Sequence, residues 1–311
     1  MKYIGIDIGG TKCAVILGDE NGEILDKIRF ETVNVYETLE NIFKAVEKIG
    51  NGAAIGVSCG GPLNSQKGII QSPPNLIGWD DVHITDMLTE KFHIPAYLCN
   101  DANACALAEW KFGAGQGCRN MIFLTFGTGL GAGLILDDRL YCGTNDMAGE
   151  VGHIRLSEFG GVGYGKSGSF EGFCSGGGIA QLGRMKALEL LQQGQAARFC
   201  KSYEELDKIN AKMLGDLADE GDETALDIYR ICGEKLGYGL SILIDILNPE
   251  KIVIGSIFAR SSNLLWDSAN TVMKKECLSH SYKACKVVPA KLGEAIGDIA
   301  ALTVAMRGEF I

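Results

Sequence analysis

Residues Met121 to His153 read MIFLTFGTGLGAGLILDDRLYCGTNDMAGEVGH. The apolar run Met121 to Phe126 suits a buried strand, and Gly127-Thr128-Gly129 with Gly131 and Gly133 removes side chains where backbone must approach something closely. A second strand returns from the turn, and the stretch ends in an acidic residue, Glu150, and a histidine, His153. Successive backbone N–H groups in such a turn form a concave anion site, to which the Thr128 hydroxyl adds a donor. A polyphosphate is the ligand such a cradle fits, although a tight hairpin without a ligand explains the same glycines.

The start of the chain repeats this outline. Tyr3 to Ile8 reads as a strand, Gly9-Gly10-Thr11 as its turn, Cys13 to Leu17 as a return strand, and Asp19-Glu20-Asn21-Gly22 as an acidic turn. A duplicated fold with two phosphate-facing hairpins produces this similarity, as does chance recurrence of a common hairpin. Asp7, at the strand end, is placed to face phosphate and to hold a hydrated Mg²⁺, which prefers oxygen ligands and keeps several waters. It is equally a turn-forming residue type. Lys12 either neutralises phosphate or is simply solvated.

At 311 residues the chain is long for one core, so two domains with a ligand cleft between them are expected. Twenty-nine basic against 39 acidic residues give a net charge of -10, which argues against a general binder of nucleic acid or anionic membrane. The 11 cysteines are odd in number and lack CxxC spacing, so neither a disulfide framework nor a zinc ribbon is expected. With no signal segment and no spanning apolar run, a reducing cytoplasm is the expected location.

Elsewhere, Thr38 to Ile49 has helical periodicity, Ala53 to Ser58 reads as a buried strand, and Cys59-Gly60-Gly61-Pro62 turns the chain. The loop Pro73 to Trp79 offers one exposed-looking aromatic. Ala96 to Cys99 reads as a strand delivering Asn100 and Asp101 to a helix, Ala102 to Phe112. Both are good capping residues, and a carboxylate at a helix N-terminus is expected to stay ionised and able to accept a hydroxyl proton. Glu150, His153 and Glu171, bracketed by glycines, suit the gripping of vicinal hydroxyls. Helical patterns cover Gly176 to Leu191, Leu206 to Leu217 and Thr224 to Leu247, the last stopped by Asn248-Pro249. Lys251 to Ile254 is a short strand ending at Gly255-Ser256, and a helix over Gly297 to Met306 is placed to cross back to the first domain.

Together these residues make the chain resemble the ROK family of bacterial sugar kinases. The match is carried by Asp7-Ile8-Gly9-Gly10-Thr11-Lys12, Gly61-Pro62, Pro74-Asn75-Leu76, Asn100-Asp101-Ala102-Asn103, Gly127-Thr128-Gly129-Leu130-Gly131, Gly149-Glu150-Val151-Gly152-His153 and Ile252-Val253-Ile254-Gly255. The resemblance implies a duplicated α/β fold of the actin/hexokinase (ribonuclease H-like) type. Residues 1–117 with 298–311 would form the N-terminal domain and 118–297 the C-terminal one. It implies ATP and Mg²⁺, with Gly9, Gly10, Thr11, Lys12, Gly127, Thr128 and Gly129 at the phosphates. Asp7 would face the magnesium shell and Gly255 and Ser256 the adenosine. Gly61, Asn100, Asp101, Glu150, His153 and Glu171 match sugar-binding positions, with Asp101 as the catalytic base. A homodimer is also implied.

One departure matters. The family's CxCGxxGCxE zinc motif, aligned on Glu171, puts Val162, Tyr164 and Ser169 where the cysteines belong. None of these is a usual zinc ligand, so no zinc is expected and His153 must be held otherwise, with Tyr164 a candidate. The resemblance points to a hexose, glucose or a close relative, phosphorylated on its primary 6-hydroxyl. Fructose, allose, N-acetylmannosamine and β-glucosides remain alternatives. Of other classes, a sugar-responsive repressor would carry an N-terminal DNA-binding segment, for which Asp7 leaves no room. A non-catalytic sugar-binding protein would not need Asp101 and both turns. A nicotinamide-binding protein would need GxGxxG spacing.

Overall fold

The computed structural model describes residues 1–306. In the N-terminal part, β1 (Lys2–Ile8), β2 (Lys12–Asp19) and β3 (Ile24–Glu31) form an antiparallel meander, followed by α1 (Val35–Ile49) and β4 (Ile55–Cys59). Three two-residue strands, β5 (Leu63–Asn64), β6 (Ile69–Ile70) and β7 (Val82–His83), make a small antiparallel sheet. Then come α2 (Ile84–Phe92), β8 (Ala96–Asn100) and α3 (Asp101–Phe112). The expected strand-to-helix delivery at Asn100 and Asp101 is therefore present, as is the α1 amphipathic face, with Leu39, Ile42, Val46 and Ile49 buried. Strand β3, whose polar alternation is weak as a sequence signal, was not expected.

The central stretch forms β9 (Met121–Leu124), β10 (Ala132–Leu136) and β11 (Arg139–Leu140). Beyond it lie the hairpin β12 (Val162–Gly163) and β13 (Lys166–Ser167), then α4 (Phe170–Phe173), α5 (Gly176–Gln192), α6 (Ala211–Asp219) and α7 (Glu223–Leu247). The chain continues through β14 (Lys251–Ile254), α8 (Ile257–Glu276), α9 (Ser279–Ala284), β15 (Lys286–Pro289) and α10 (Ile296–Ala305). Two five-stranded sheets share one plan, β3-β2-β1-β4-β8 and β11-β10-β9-β14-β15. In each, an antiparallel hairpin is followed by strands linked in parallel through helices. The repeat seen in the sequence is a repeat of architecture.

By proximity the residues form two compact units. The first holds Met1–Phe123, Gly133–Gly149 and the described residues from Lys291 onward; the second holds Leu124–Ala132 and Glu150–Ala290. The division implied by the resemblance falls instead at 117/118 and 297/298; residues 307–311 of its first domain lie outside the described residues. Hairpin β10–β11 groups with the first unit because Gly133 lets it lie against α3. A Cβ there would come within 2.5 Å of the Ala102 carbonyl and the Ala106 methyl.

Helix α10 packs on β1 and β4 through two glycines. A Cβ on Gly56 would stand 2.2 Å from the Ala305 nitrogen, and one on Gly5 2.8 Å from the Leu302 nitrogen. Only glycine permits so close a helix-to-strand approach. Fully buried Glu109 helps fix the approach, accepting hydrogen bonds from the Ala114 N–H (2.7 Å) and the Leu292 N–H (2.8 Å). Trp79 corrects the sequence reading: it is 0% exposed within the first unit's core, while neighbouring Ile77 is 91% exposed. Gly78, at φ +82°, turns the loop so that the indole folds inward and the Trp79 carbonyl receives the Ser72 N–H. Among the described residues no helix is long and apolar enough to cross a membrane.

Candidate active site

In the first unit the turn Gly9-Gly10-Thr11 joins β1 to β2. The Gly9 N–H donates to the Lys12 carbonyl at 3.1 Å, and the Thr32 hydroxyl donates to the Gly9 carbonyl at 2.6 Å. Gly10, Thr11 and Lys12 are exposed, and Lys12 makes no ion pair among the described residues. A Cβ on Gly10 would meet Asn75 at 2.8 Å, so the Pro74-Asn75-Leu76 segment walls one side of the turn.

Asp7, beside this turn, is surrounded by charge. Burial pushes its carboxyl up to about 6; Asp298 and Asp101 push the same way, and Lys27 and Arg29 oppose them. Asp298, on α10, forms a largely buried ion pair with Lys27 of β3, and Arg29 stands 3.9 Å away. No sequence pattern pointed to Asp298 or Lys27, because their meeting depends on how α10 packs. An aspartate on the apolar face of the final helix was the one available signal.

Asn100 and Asp101 divide two tasks. Asn100 Oδ1 caps α3, accepting the N–H groups of Ala102 (3.0 Å) and Asn103 (3.4 Å). Asp101 Oδ1 also accepts from Ala102 (2.8 Å), while Oδ2 makes no hydrogen bond among the described residues. Asp101 reaches solvent. Protein nonetheless crowds its carboxyl, and burial raises its pKa from the ordinary carboxylate value despite the Ala102 N–H bond, so the helix terminus does not dominate as the sequence suggested. Gly61 lies against Asn100, with Nδ2 3.4 Å from where a Cβ would stand, and Gly60 lies against Asp101 Oδ2 at 3.9 Å. The first unit thus gathers Asp7, the first turn, Gly61, Asn100 and Asp101.

In the second unit Gly127, Thr128 and Gly129 form the turn after β9. Gly255 and Ser256 lie beside it: the Gly255 N–H donates to the Leu124 carbonyl and the Ile257 N–H to the Phe126 carbonyl, both at 2.9 Å. Ser256 has φ +53°, a strained value for serine, and its Oγ is 3.4 Å from where a Gly127 Cβ would stand. Glu171, in the first turn of α4, accepts the Leu130 N–H at 3.0 Å. Gly152 packs on the same residue, 2.1 Å separating a built Cβ from the Leu130 carbonyl. Glu150 and His153 flank Gly152 and are exposed.

The segment carrying His153 is cross-braced. Lys166 Nζ donates to the His153 carbonyl (2.7 Å), and the Tyr164 ring meets the imidazole edge-on with centroids 6.4 Å apart. Gln181 holds Val162 through both backbone groups, at 2.8 and 2.9 Å. Buried Ser169 caps α4 by accepting the Gly172 N–H at 3.1 Å. Zinc does not fit here: Val162 lacks a donor, Tyr164 is 76% exposed, and Ser169 is committed to its cap. Among the described residues no group of three or more His, Cys, Asp or Glu is arranged to hold a metal ion directly.

The profile of the ROK family matches residues 3–307. The chain belongs to the ROK family. This ROK protein is 33% identical over 277 residues to a glucokinase of Halalkalibacterium halodurans, covering 85% of this chain and 82% of that enzyme. It is 30% identical over 304 residues to the xylose repressor of Caldicellulosiruptor bescii, covering 94% of this chain and 74% of the repressor. The crystal structure of a ROK family glucokinase from Streptomyces griseus, in complex with glucose and AMPPNP, superposes with a TM-score of 0.79 at 28% identity, covering 99% of this chain and 100% of that one. The fold of this ROK protein is the duplicated actin/hexokinase type that the sequence suggested. Kinases and repressors both stand among its relatives.

Proposed function

We propose that the chain is an ATP-dependent sugar kinase that transfers the γ-phosphoryl group to the primary 6-hydroxyl of a hexose such as glucose. The observation that carries this reading is Asp101: Asn100 takes over capping, leaving an accessible carboxylate oxygen with raised proton affinity beside Asp7 and the first glycine turn. A base of raised pKa suits proton abstraction from an alcohol near neutrality.

In this reading Asn100, Glu150, His153, Glu171 and the Gly61 backbone orient the sugar. Asp101 Oδ2 accepts the hydroxyl proton as the sugar oxygen bonds to the γ-phosphorus and the bond to ADP breaks. Backbone N–H groups of Gly9 to Lys12 and of Gly127 to Gly129, with the Lys12 ammonium, offset phosphate charge, and Gly255 and Ser256 border the adenosine. Asp7, crowded by Asp298 and Asp101, is an oxygen donor in an electronegative setting, which fits the hydrated shell of Mg²⁺. The ion would supply charge neutralisation at the transferring phosphate. Zinc has no part in this reading.

None of the 11 cysteines is in a disulfide among the described residues, which supports the reducing cytoplasm as the place of action. We also take the working form to be a homodimer, from family resemblance. The test is a panel of hexoses, N-acetylmannosamine and β-glucosides with ATP and Mg²⁺, reported as kcat/KM. A hexose at the head of the ranking with 6-phosphate as product is the expected result. Sugar binding without ATP-dependent product would transfer the chain to the repressor-like, non-catalytic branch.

A further inference from the structure

The turn Gly127 to Gly131 is held at both ends by one short segment. At its start, the Gly127 carbonyl accepts the Gly176 N–H at 2.7 Å; at its far end, the Leu130 N–H donates to Glu171 Oε2 at 3.0 Å. The Leu130 peptide is gripped from its other side by Gly152, whose missing side chain brings it against the Leu130 carbonyl. Glu171 has little freedom to leave. Its own carbonyl accepts the Ser175 hydroxyl at 2.8 Å, Ser175 caps α5 through the Gly178 N–H at 2.9 Å, and Gly129 lies close against it, a Cβ there standing 2.7 Å from Oε2. Oε1 makes no hydrogen bond among the described residues. A carboxylate accepts at both oxygens, so one residue is built to serve two ligands.

We propose that Glu171 is a positioning residue that couples the two ligands: Oε2 fastens the phosphate-facing turn through Leu130 while Oε1 receives a sugar hydroxyl, so that bound sugar tightens nucleotide binding. This rests on the kinase reading above and deepens it. A hydroxyl donated to Oε1 fixes the carboxylate, and fixing the carboxylate fixes the Leu130 peptide in the cradle. The reverse effect follows by reciprocity: nucleotide in the turn tightens sugar by the same factor.

The experiment is calorimetric titration of a non-hydrolysable ATP analogue, without sugar and at saturating glucose, on wild type, Glu171→Ala and Glu171→Gln. Glucose is expected to lower the wild-type Kd for the analogue by a factor within about 5 to 150, the usual range of such couplings. In Glu171→Ala that factor falls to near one even when glucose is saturating. Glu171→Gln retains an acceptor for Leu130 and keeps most of the coupling, although its glucose affinity is lower. Amide exchange in ligand-free protein gives an independent readout: Leu130 N–H loses protection in the alanine variant and keeps it in the glutamine variant. Coupling of wild-type size in Glu171→Ala, or both ligands bound to wild type without coupling, overturns the inference and leaves the kinase reading intact. Failure of wild type to bind or phosphorylate any hexose overturns both.

Discussion

The turn after β1 is fastened by its own sheet: its closing hydrogen bond is backbone to backbone, and the brace on Gly9 comes from Thr32, just beyond β3. The turn after β9 is closed by backbone bonds of its own, the Gly127 N–H to the Gly129 carbonyl at 3.1 Å and the Thr125 N–H to the Gly131 carbonyl at 2.9 Å, and is fastened in addition from outside, by the Glu171 carboxylate and the first N–H of α5. The same duplicated motif has thus been specialised. The first copy stands beside the carboxylates Asp7, Asp101 and Asp298; the second copy is tied to Glu171, the residue we propose as a sugar ligand. The difference teaches that one glycine cradle is braced wholly from its own sheet while the other is braced also by a carboxylate side chain, the one our inference ties to a second ligand.

The sharpest attack on this division is Asp101→Asn, which should lower kcat by about 100- to 10,000-fold with sugar Kd changed little, since general-base assistance is typically worth that much. Near-normal turnover by steady-state kinetics would take the chemistry away from the first copy's side. Next comes the Lys27–Asp298 pair, which braces the same neighbourhood. Lys27→Met leaves Asp298 buried with only the more distant Arg29, at a cost of about 3 kcal/mol in urea unfolding. The double change with Asp298→Leu should recover most of that loss.

Asp7→Asn should stabilise the fold at pH 8. A carboxyl with pKa about 6 when folded and 3.8 when unfolded binds its proton more tightly in the folded chain, so it supports stability below pH 3.8 and loses that support as pH rises through 6. The asparagine variant is therefore more stable by up to about 3 kcal/mol at pH 8. That advantage disappears near pH 4, a pattern read by urea titrations at the two pH values. A gain that persisted at pH 4 would locate its origin outside the ionised carboxylate. The smallest effect belongs to Thr32→Val, which removes the hydroxyl bond to Gly9 and costs about 1 kcal/mol. It should raise the nucleotide KM without altering how glucose changes nucleotide affinity. If it abolished that coupling, the contrast between the two turns would collapse.

Much of this was legible in the sequence because it is local. Glycine turns after apolar strands, and an Asn-Asp pair between a strand and an alanine-rich helix, are written in consecutive residues. What escaped depends on residues distant in sequence. Trp79 looked exposed since a loop rich in proline and glycine gives no sign of which way its indole points; burial in the core decided it. Asp298 and Lys27 lie on the last helix and third strand, and the packing of α10 alone brings them together. Glu171 was read for its hydroxyl-gripping chemistry, but its bond to Leu130 belongs to a tertiary contact between a turn and a helix end. The brace around His153 was partly foreseen in Tyr164, whereas Gln181 acts on Val162 from another helix and carries no motif.

The glycine-mediated seat of α10 on β1 and β4 has a consequence for biosynthesis. Strands β1 and β4 precede α10 in the chain, so this face of their sheet stays uncovered until the helix that fits it has been made. The shape that waits for it is set by two positions where hydrogen atoms stand in place of methyl groups.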